Sequence, residues 1–105
     1  MNEGLDRLFA IIASRKGGDP DRSYTAKLLA GPIDKCARKF AEEAIEAVIA
    51  ATRKDKNELA QESADVLYHL AVLWAASGIT PEDVYAVLKS RETMSGLEEK
   101  ASRKG

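Results

Sequence analysis

Leu5, Leu8, Phe9 and Ile12 fall at i, i+3, i+4 and i+7, which gathers them into a single stripe on a helix of 3.6 residues per turn. This pattern predicts a first helix over residues 5–16, stopped by Gly17-Gly18. Asp19-Pro20-Asp21-Arg22 reads as a polar turn, after which Ser23 caps a short helix over 24–30 that Gly31 closes. Pro32 suits the first turn of a third helix, where its missing N–H costs nothing, and the helical pattern runs on over 32–54. Asp55 and Glu58 have capping-box spacing ahead of a fourth helix over 57–78. Thr80-Pro81-Glu82-Asp83 combines a hydroxyl cap, a proline at the first helical position and acids in the first turn, and starts a fifth helix over 81–91. No segment alternates with period two for long enough to make a strand, and no internal repeat is present, so the expected class is all-α.

The two long helices have more than one apolar face each. Over 32–54, Ile33, Ala37, Phe40, Ala44, Val48 and Ala51 form one stripe, and Ala41, Ile45, Ile49 and Thr52 form a second. Over 57–78, Leu59, Ser63, Val66, Leu67, Leu70, Leu73 and Trp74 form a stripe with Ala64, Tyr68, Ala71 and Ala75 behind it. One small antiparallel helix hairpin cannot cover all four faces. The expected architecture is therefore a helical bundle built on that hairpin and completed by a second copy of the chain, a homodimer, unless the shorter helices cover the second faces.

A length of 105 residues fits a single domain large enough for a core and small enough to gain from a partner subunit. With 16 basic and 17 acidic side chains the net charge is −1, so no overall charge draws the molecule to nucleic acid or anionic lipid, and any phosphate binding must be local. Cys36 is alone, which excludes an intramolecular disulfide and suits a small core residue in a reducing compartment. The opening Met1-Asn2-Glu3-Gly4 lacks the basic and apolar runs of a secretion signal, and no apolar run approaches the about 18 residues of a membrane span. A cytoplasmic location is the expectation.

The chemistry lies in Glu42-Glu43-Ala44-Ile45-Glu46 and Glu62-Ser63-Ala64-Asp65. Spacings of three place Glu43 beside Glu46 and Glu62 beside Asp65, each pair on one side of its helix. If the hairpin turns at Asp55-Lys56, positions that face one another add to about 111, so Glu46 faces Asp65 and four carboxylates gather within about two turns. Crowded like charges raise one another's pKa values, and a bound cation removes the conflict. Hard oxygen donors without a cysteine cluster suit Mg²⁺ or Mn²⁺, with positions left for water and phosphate oxygens. A di-iron bundle centre asks for paired Glu-x-x-His motifs, which a chain with one histidine, His69, does not supply. His69 is expected to be a hydrogen-bonded helix residue and Trp74 a core residue. The competing reading is a solvated acidic face laced by Arg38–Glu42 and Lys39–Glu43 pairs at i, i+4.

These two acidic segments resemble the EExxE and ExxD motifs of the all-α NTP pyrophosphohydrolases, the MazG-like superfamily. Ser23-Tyr24-Thr25-Ala26-Lys27-Leu28-Leu29, Asp65-Val66-Leu67-Tyr68-His69-Leu70 and the tail from Arg91 through Ser95-Gly96, Glu99-Lys100 and Arg103 resemble, within it, the phosphoribosyl-ATP pyrophosphohydrolases. The resemblance implies a Mg²⁺-dependent dimeric enzyme of histidine biosynthesis that converts phosphoribosyl-ATP to phosphoribosyl-AMP and pyrophosphate. It gives Glu43, Glu46, Glu62 and Asp65 the metal, and makes Glu42 a further ligand or the base for water. Ser23, Tyr24, Thr25, Lys27, Lys35, Lys39, Arg91, Lys100 and Arg103 become candidate substrate-binding residues, although caps, surface lysines and a basic terminus over 92–105 explain the same side chains. Ala41 stands where the family often has glycine, and Cys36 where it often has an aliphatic residue; neither is a proposed ligand. A housekeeping NTP pyrophosphohydrolase of the same superfamily and a non-catalytic helical dimerisation module are the alternatives.

Overall fold

The computed structural model describes residues 3–92, so Lys100 and Arg103 lie outside the described residues. Among the described residues five α-helices follow one another: α1 Glu3–Ser14, α2 Tyr24–Ala30, α3 Ile33–Thr52, α4 Lys56–Ser77 and α5 Pro81–Ser90. No strand occurs among the described residues, and the class is all-α. None of these helices is long and apolar enough to cross a membrane.

Local chemistry sets each boundary. α1 starts ahead of its apolar stripe because Glu3 and Asp6 favour the positive end of the helix dipole. It stops at Ser14 and not at residue 16: the amides of Arg15 and Lys16 reach back only three residues, to Ile12 and Ala13, and Gly17 takes a φ of 81°. Ser23 caps α2, its Oγ accepting from the Ala26 amide at 3.1 Å. Pro32 is the cap of α3 and not its first helical residue, with extended backbone at ψ 152°.

α3 ends at Thr52, two residues earlier than its pattern suggests. Lys54 takes a φ of 59°, its amide donates to the Ala51 carbonyl, and the Asp55 amide donates to the Ala50 carbonyl. This is a Schellman stop with lysine in the left-handed position that glycine usually fills. Asp55 then caps α4, accepting from the Glu58 amide at 3.0 Å, and Gly78 ends it at φ 77°. Thr80 and Asp83 complete a reciprocal capping box at the start of α5 behind Pro81.

α3 and α4 form the most extensive packing among the described residues and are joined by only three residues; α1 lies on α4, α2 bridges α3 and α4, and α5 rests on α1. So short a turn between two helices packed on each other returns α4 alongside α3 in the opposite direction. The core collects Ile12, Leu28, Cys36, Ala71 and Val72, with Leu8, Phe9, Leu29, Tyr68, Leu73, Ala75 and Ala76 around it. Tyr85 ties α5 to α1, its hydroxyl donating to Asp6 Oδ1 at 3.3 Å.

The faces turned inward are not the ones with the bulkiest residues. On α3 Cys36 and Ala50 are buried, while Ile45, Val48 and Ile49 are 59%, 61% and 40% exposed. On α4 the buried residues are His69, Ala71 and Val72, and Leu67 is exposed. Trp74, expected in the core, is half-buried.

Candidate active site

The turn between α3 and α4 is centred on Lys54, so facing positions add to about 108 and not 111. Glu43 thereby faces Asp65, and Glu46 faces Glu62, a shift of nearly one turn from the register read off the sequence. A carboxylate oxygen from each of Glu43, Glu62 and Asp65 lies within 4.8 Å of the other two. Glu46 falls outside this tight group, one turn nearer the interhelix turn. There it lines a cavity of about 130 Å³ with Ile49, Ala50, Arg53, Asp55, Glu58 and Glu62.

Glu62 belongs to both places. A hydrogen bond with Glu58 is the largest cause, followed by partial burial and the charges of Glu58, Asp65 and Glu46, of a carboxyl pushed up to about 7. Glu58 is the residue that sequence reasoning missed. Its spacing from Asp55 is fully explained as half of a capping box, yet only the Asp55 half forms, and the Glu58 carboxyl is turned to Glu62 instead. The signal was available: Glu58 and Glu62 are an i, i+4 pair on the face that carries Asp65.

The Lys39–Glu43 ion pair of the competing, solvated-face reading does not form. Lys39 Nζ lies 3.6 Å from Glu42 Oε1, which leaves Glu43 to the carboxylate group. Lys35, Arg38, Lys39 and Glu42 together line a cavity of about 180 Å³ on the same helix, one to two turns from Glu43. On α2, Ser23 is used as a cap and the Thr25 hydroxyl is bonded to the Tyr68 hydroxyl at 2.5 Å, a tie between α2 and α4. Tyr24 is half exposed and Lys27 is exposed in the last turn of the same helix. Arg91 caps the end of α5 and lines an apolar groove with Ile79, Val84, Val87 and Leu88; none of the grouped carboxylates lines it.

Three oxygen donors, drawn from two helices and with no nitrogen or sulfur among them, form a hard set that fits Mg²⁺ or Mn²⁺. Opposite oxygens about 2.1 Å from an ion stand about 4.2 Å apart, so small side-chain rotations would suffice to bring these donors together.

The family model described as Phosphoribosyl-ATP pyrophosphohydrolase matches residues 5–92. The chain belongs to the phosphoribosyl-ATP pyrophosphohydrolase family. Similar curated proteins are each called phosphoribosyl-ATP pyrophosphatase. That of Cereibacter sphaeroides (strain ATCC 17029 / ATH 2.4.9) is 58% identical over 99 residues, covering 94% of this chain and 96% of the relative. That of Parvibaculum lavamentivorans is 59% identical over 99 residues, covering 94% and 91%, and that of Paramagnetospirillum magneticum 57%, covering 94% and 91%. The span matched by the phosphoribosyl-ATP pyrophosphohydrolase model contains all the grouped carboxylates, the α2 segment and the α3 lysines, and ends before Lys100 and Arg103.

Proposed function

We propose that this chain hydrolyses phosphoribosyl-ATP to phosphoribosyl-AMP and pyrophosphate, as a step of histidine biosynthesis, with Mg²⁺ or Mn²⁺ held by Glu43, Glu62 and Asp65 and by Glu46 from the adjoining turn. The observation that carries the reading is the convergence of Glu43, Glu62 and Asp65 to within 4.8 Å inside the span matched by the family. A bound divalent cation would neutralise phosphate oxygens and make water a better nucleophile at neutral pH.

The protein's own groups do the rest. Glu43, Glu62 and Asp65 would hold the cation at one level of the α3–α4 seam, and Glu46 would reach it from one turn nearer the interhelix turn. Lys35 and Lys39 bind phosphate oxygens that reach past it, and Lys39 is held on that side by Glu42. Glu42 stands outside the tight group with its side chain 62% exposed, and serves as the base that holds the proton given up by water at a carboxylate oxygen. Water adds its oxygen at phosphorus, the anhydride bond between the α and β phosphates breaks, and pyrophosphate leaves. Positioning and electrostatics supply most of the rate. Ser23, Tyr24, Thr25 and Lys27 at α2 are the candidate contacts to the nucleotide or its phosphates, whereas Arg91 lines a groove that none of the grouped carboxylates shares and is not assigned to the phosphates.

The same reading has the chain acting as a single all-α domain in the cytoplasm and as a homodimer. Exposed Ile45, Val48 and Leu67 support the dimer, since bulky aliphatics on facing helices are the surface a second copy would cover. The deciding experiment measures pyrophosphate release from phosphoribosyl-ATP and from a panel of ordinary nucleoside triphosphates, with Mg²⁺ and with EDTA. Release from phosphoribosyl-ATP alone, abolished by EDTA, is expected. Preference for ordinary triphosphates would favour the housekeeping reading, and no release by a folded protein would leave a dimerisation module.

A further inference from the structure

One group in the α3–α4 seam has no task in the scheme above. His69 follows Asp65 by one turn of α4, is 6% exposed, and its Nδ1 is buried with no hydrogen-bond partner among the described residues. Buried polar atoms are almost always paired, so an orphan beside a set of converging functional groups invites a ligand as its missing partner. Its surroundings say which kind. Burial is the main reason the imidazole is held below its usual pKa and hence uncharged; Lys39 adds to this, while Glu43, Asp65 and Glu42 oppose it. Two aromatic rings meet it edge-on: Tyr68 at a centroid distance of 4.9 Å and Tyr24 at 6.3 Å.

The two tyrosines differ in freedom. Tyr68 is half-buried, with its hydroxyl turned to Thr25. Tyr24 is the first residue of the seven-residue α2 and is 52% exposed, so its ring has room to swing without opening the core. An uncharged imidazole flanked by aromatic rings suits a heterocyclic base better than a phosphate, and the lysines and carboxylates of the seam already serve phosphate.

We propose that Tyr24 and His69 form the seat for the nucleoside part of the substrate: Tyr24 stacks on the purine, and the movement that allows this gives His69 a hydrogen bond with the nucleotide. Base stacking on an exposed aromatic ring is a general mode of nucleotide binding. The proposal rests on the phosphoribosyl-ATP reading above, and it assigns the nucleoside end of that substrate to the α2–α4 junction, one turn beyond Asp65.

His69 is the only histidine in the chain, so an untagged protein with ¹⁵N-labelled histidine gives imidazole signals that need no assignment. Phosphoribosyl-AMP added with Mg²⁺ should move the Nδ1 resonance in proportion to occupancy, while pyrophosphate with Mg²⁺ should leave it in place. In turnover of phosphoribosyl-ATP, His69→Phe should raise KM about tenfold with a smaller change in kcat. Its thermal midpoint without ligand should hold or rise, because an apolar ring replaces an unpaired polar one. His69→Asn, which returns an amide near the position of Nδ1, should recover part of the KM, and Tyr24→Ala should raise KM where Tyr24→Phe does not. An unmoved resonance at saturating phosphoribosyl-AMP, or a wild-type KM in His69→Phe, overturns the proposal. If His69→Phe does not fold, the resonance and His69→Asn decide in the same way. A wild-type protein that leaves phosphoribosyl-ATP uncut overturns the underlying reading and this one with it, whereas normal turnover with an unmoved resonance overturns this one alone.

Discussion

Glu62 carries the strain of the carboxylate arrangement. Its carboxyl is pushed up to about 7 from an ordinary 4.5, by its hydrogen bond with Glu58 first and then by burial and neighbouring negative charge. The folded chain therefore holds that proton more tightly than the unfolded chain does. The associated stability is fully present below about pH 4.5 and is lost as pH rises through about 7. In EDTA, thermal melts of the wild type should fall relative to those of Glu62→Gln across this window, and added Mg²⁺ should restore the wild type by binding only the folded state. Glu43→Gln, Glu46→Gln, Glu62→Gln and Asp65→Asn should each lower turnover by about 10²-fold or more and weaken Mg²⁺ binding in calorimetry, while circular dichroism shows the helices intact. Near-normal turnover in all four would make these acids structural. The carboxylates were legible in the sequence because helical spacing is rigid, and three of them do converge within 4.8 Å. Glu58 was not legible because a complete local explanation, the cap, was available for it. His69 was expected to be hydrogen-bonded, and its burial without a partner at Nδ1 depends on which face of α4 turns inward, a fact that no local pattern contains.

Among the elements, the turn between α3 and α4 shows how a single residue sets the register of a site. With Lys54 in the left-handed region at φ 59°, α3 stops two residues early, and Glu43 comes to face Asp65 where the sequence put Glu46. A lysine at this φ is disfavoured by roughly 1–2 kcal/mol, and glycine removes that cost while adding freedom to the unfolded chain. Lys54→Gly should therefore raise stability by about 0.5–1 kcal/mol in urea melts without changing turnover; a loss of stability would mean that the lysine side chain supports the turn. Boundaries marked by glycine stops or by hydroxyl caps at helix starts were readable, as Gly31 and Gly78 and as Ser23 and Thr80 illustrate. The end of α3 was not, because its left-handed residue carries an ordinary side chain and the helical pattern runs through it.

For the whole molecule, the burial pattern departs most from the sequence reading. Periodicity identified the apolar faces of α3 and α4 but not which of them the chain covers itself. α1 and α2 take the face that carries Cys36, Ala71 and Val72, and Ile45, Val48 and Leu67 remain outside. If these residues meet a second copy, an Ile45→Glu, Val48→Glu double variant should sediment as a monomer at micromolar concentration where the wild type sediments as a dimer. A wild type that is monomeric at that concentration would remove the proposed dimer. Cys36 offers a separate view of how the assembly holds together. It is 1% exposed, its thiol donates to the Leu28 carbonyl at 3.4 Å, and burial pushes its pKa up, so the native chain presents almost no reactive thiolate. Alkylation must then wait for the core around Cys36 to open, at the least by α2 lifting from α3, and its rate becomes a clock on that opening. Mass spectrometry of the single labelled site at increasing urea would tell partial opening of this junction from unfolding of the whole chain.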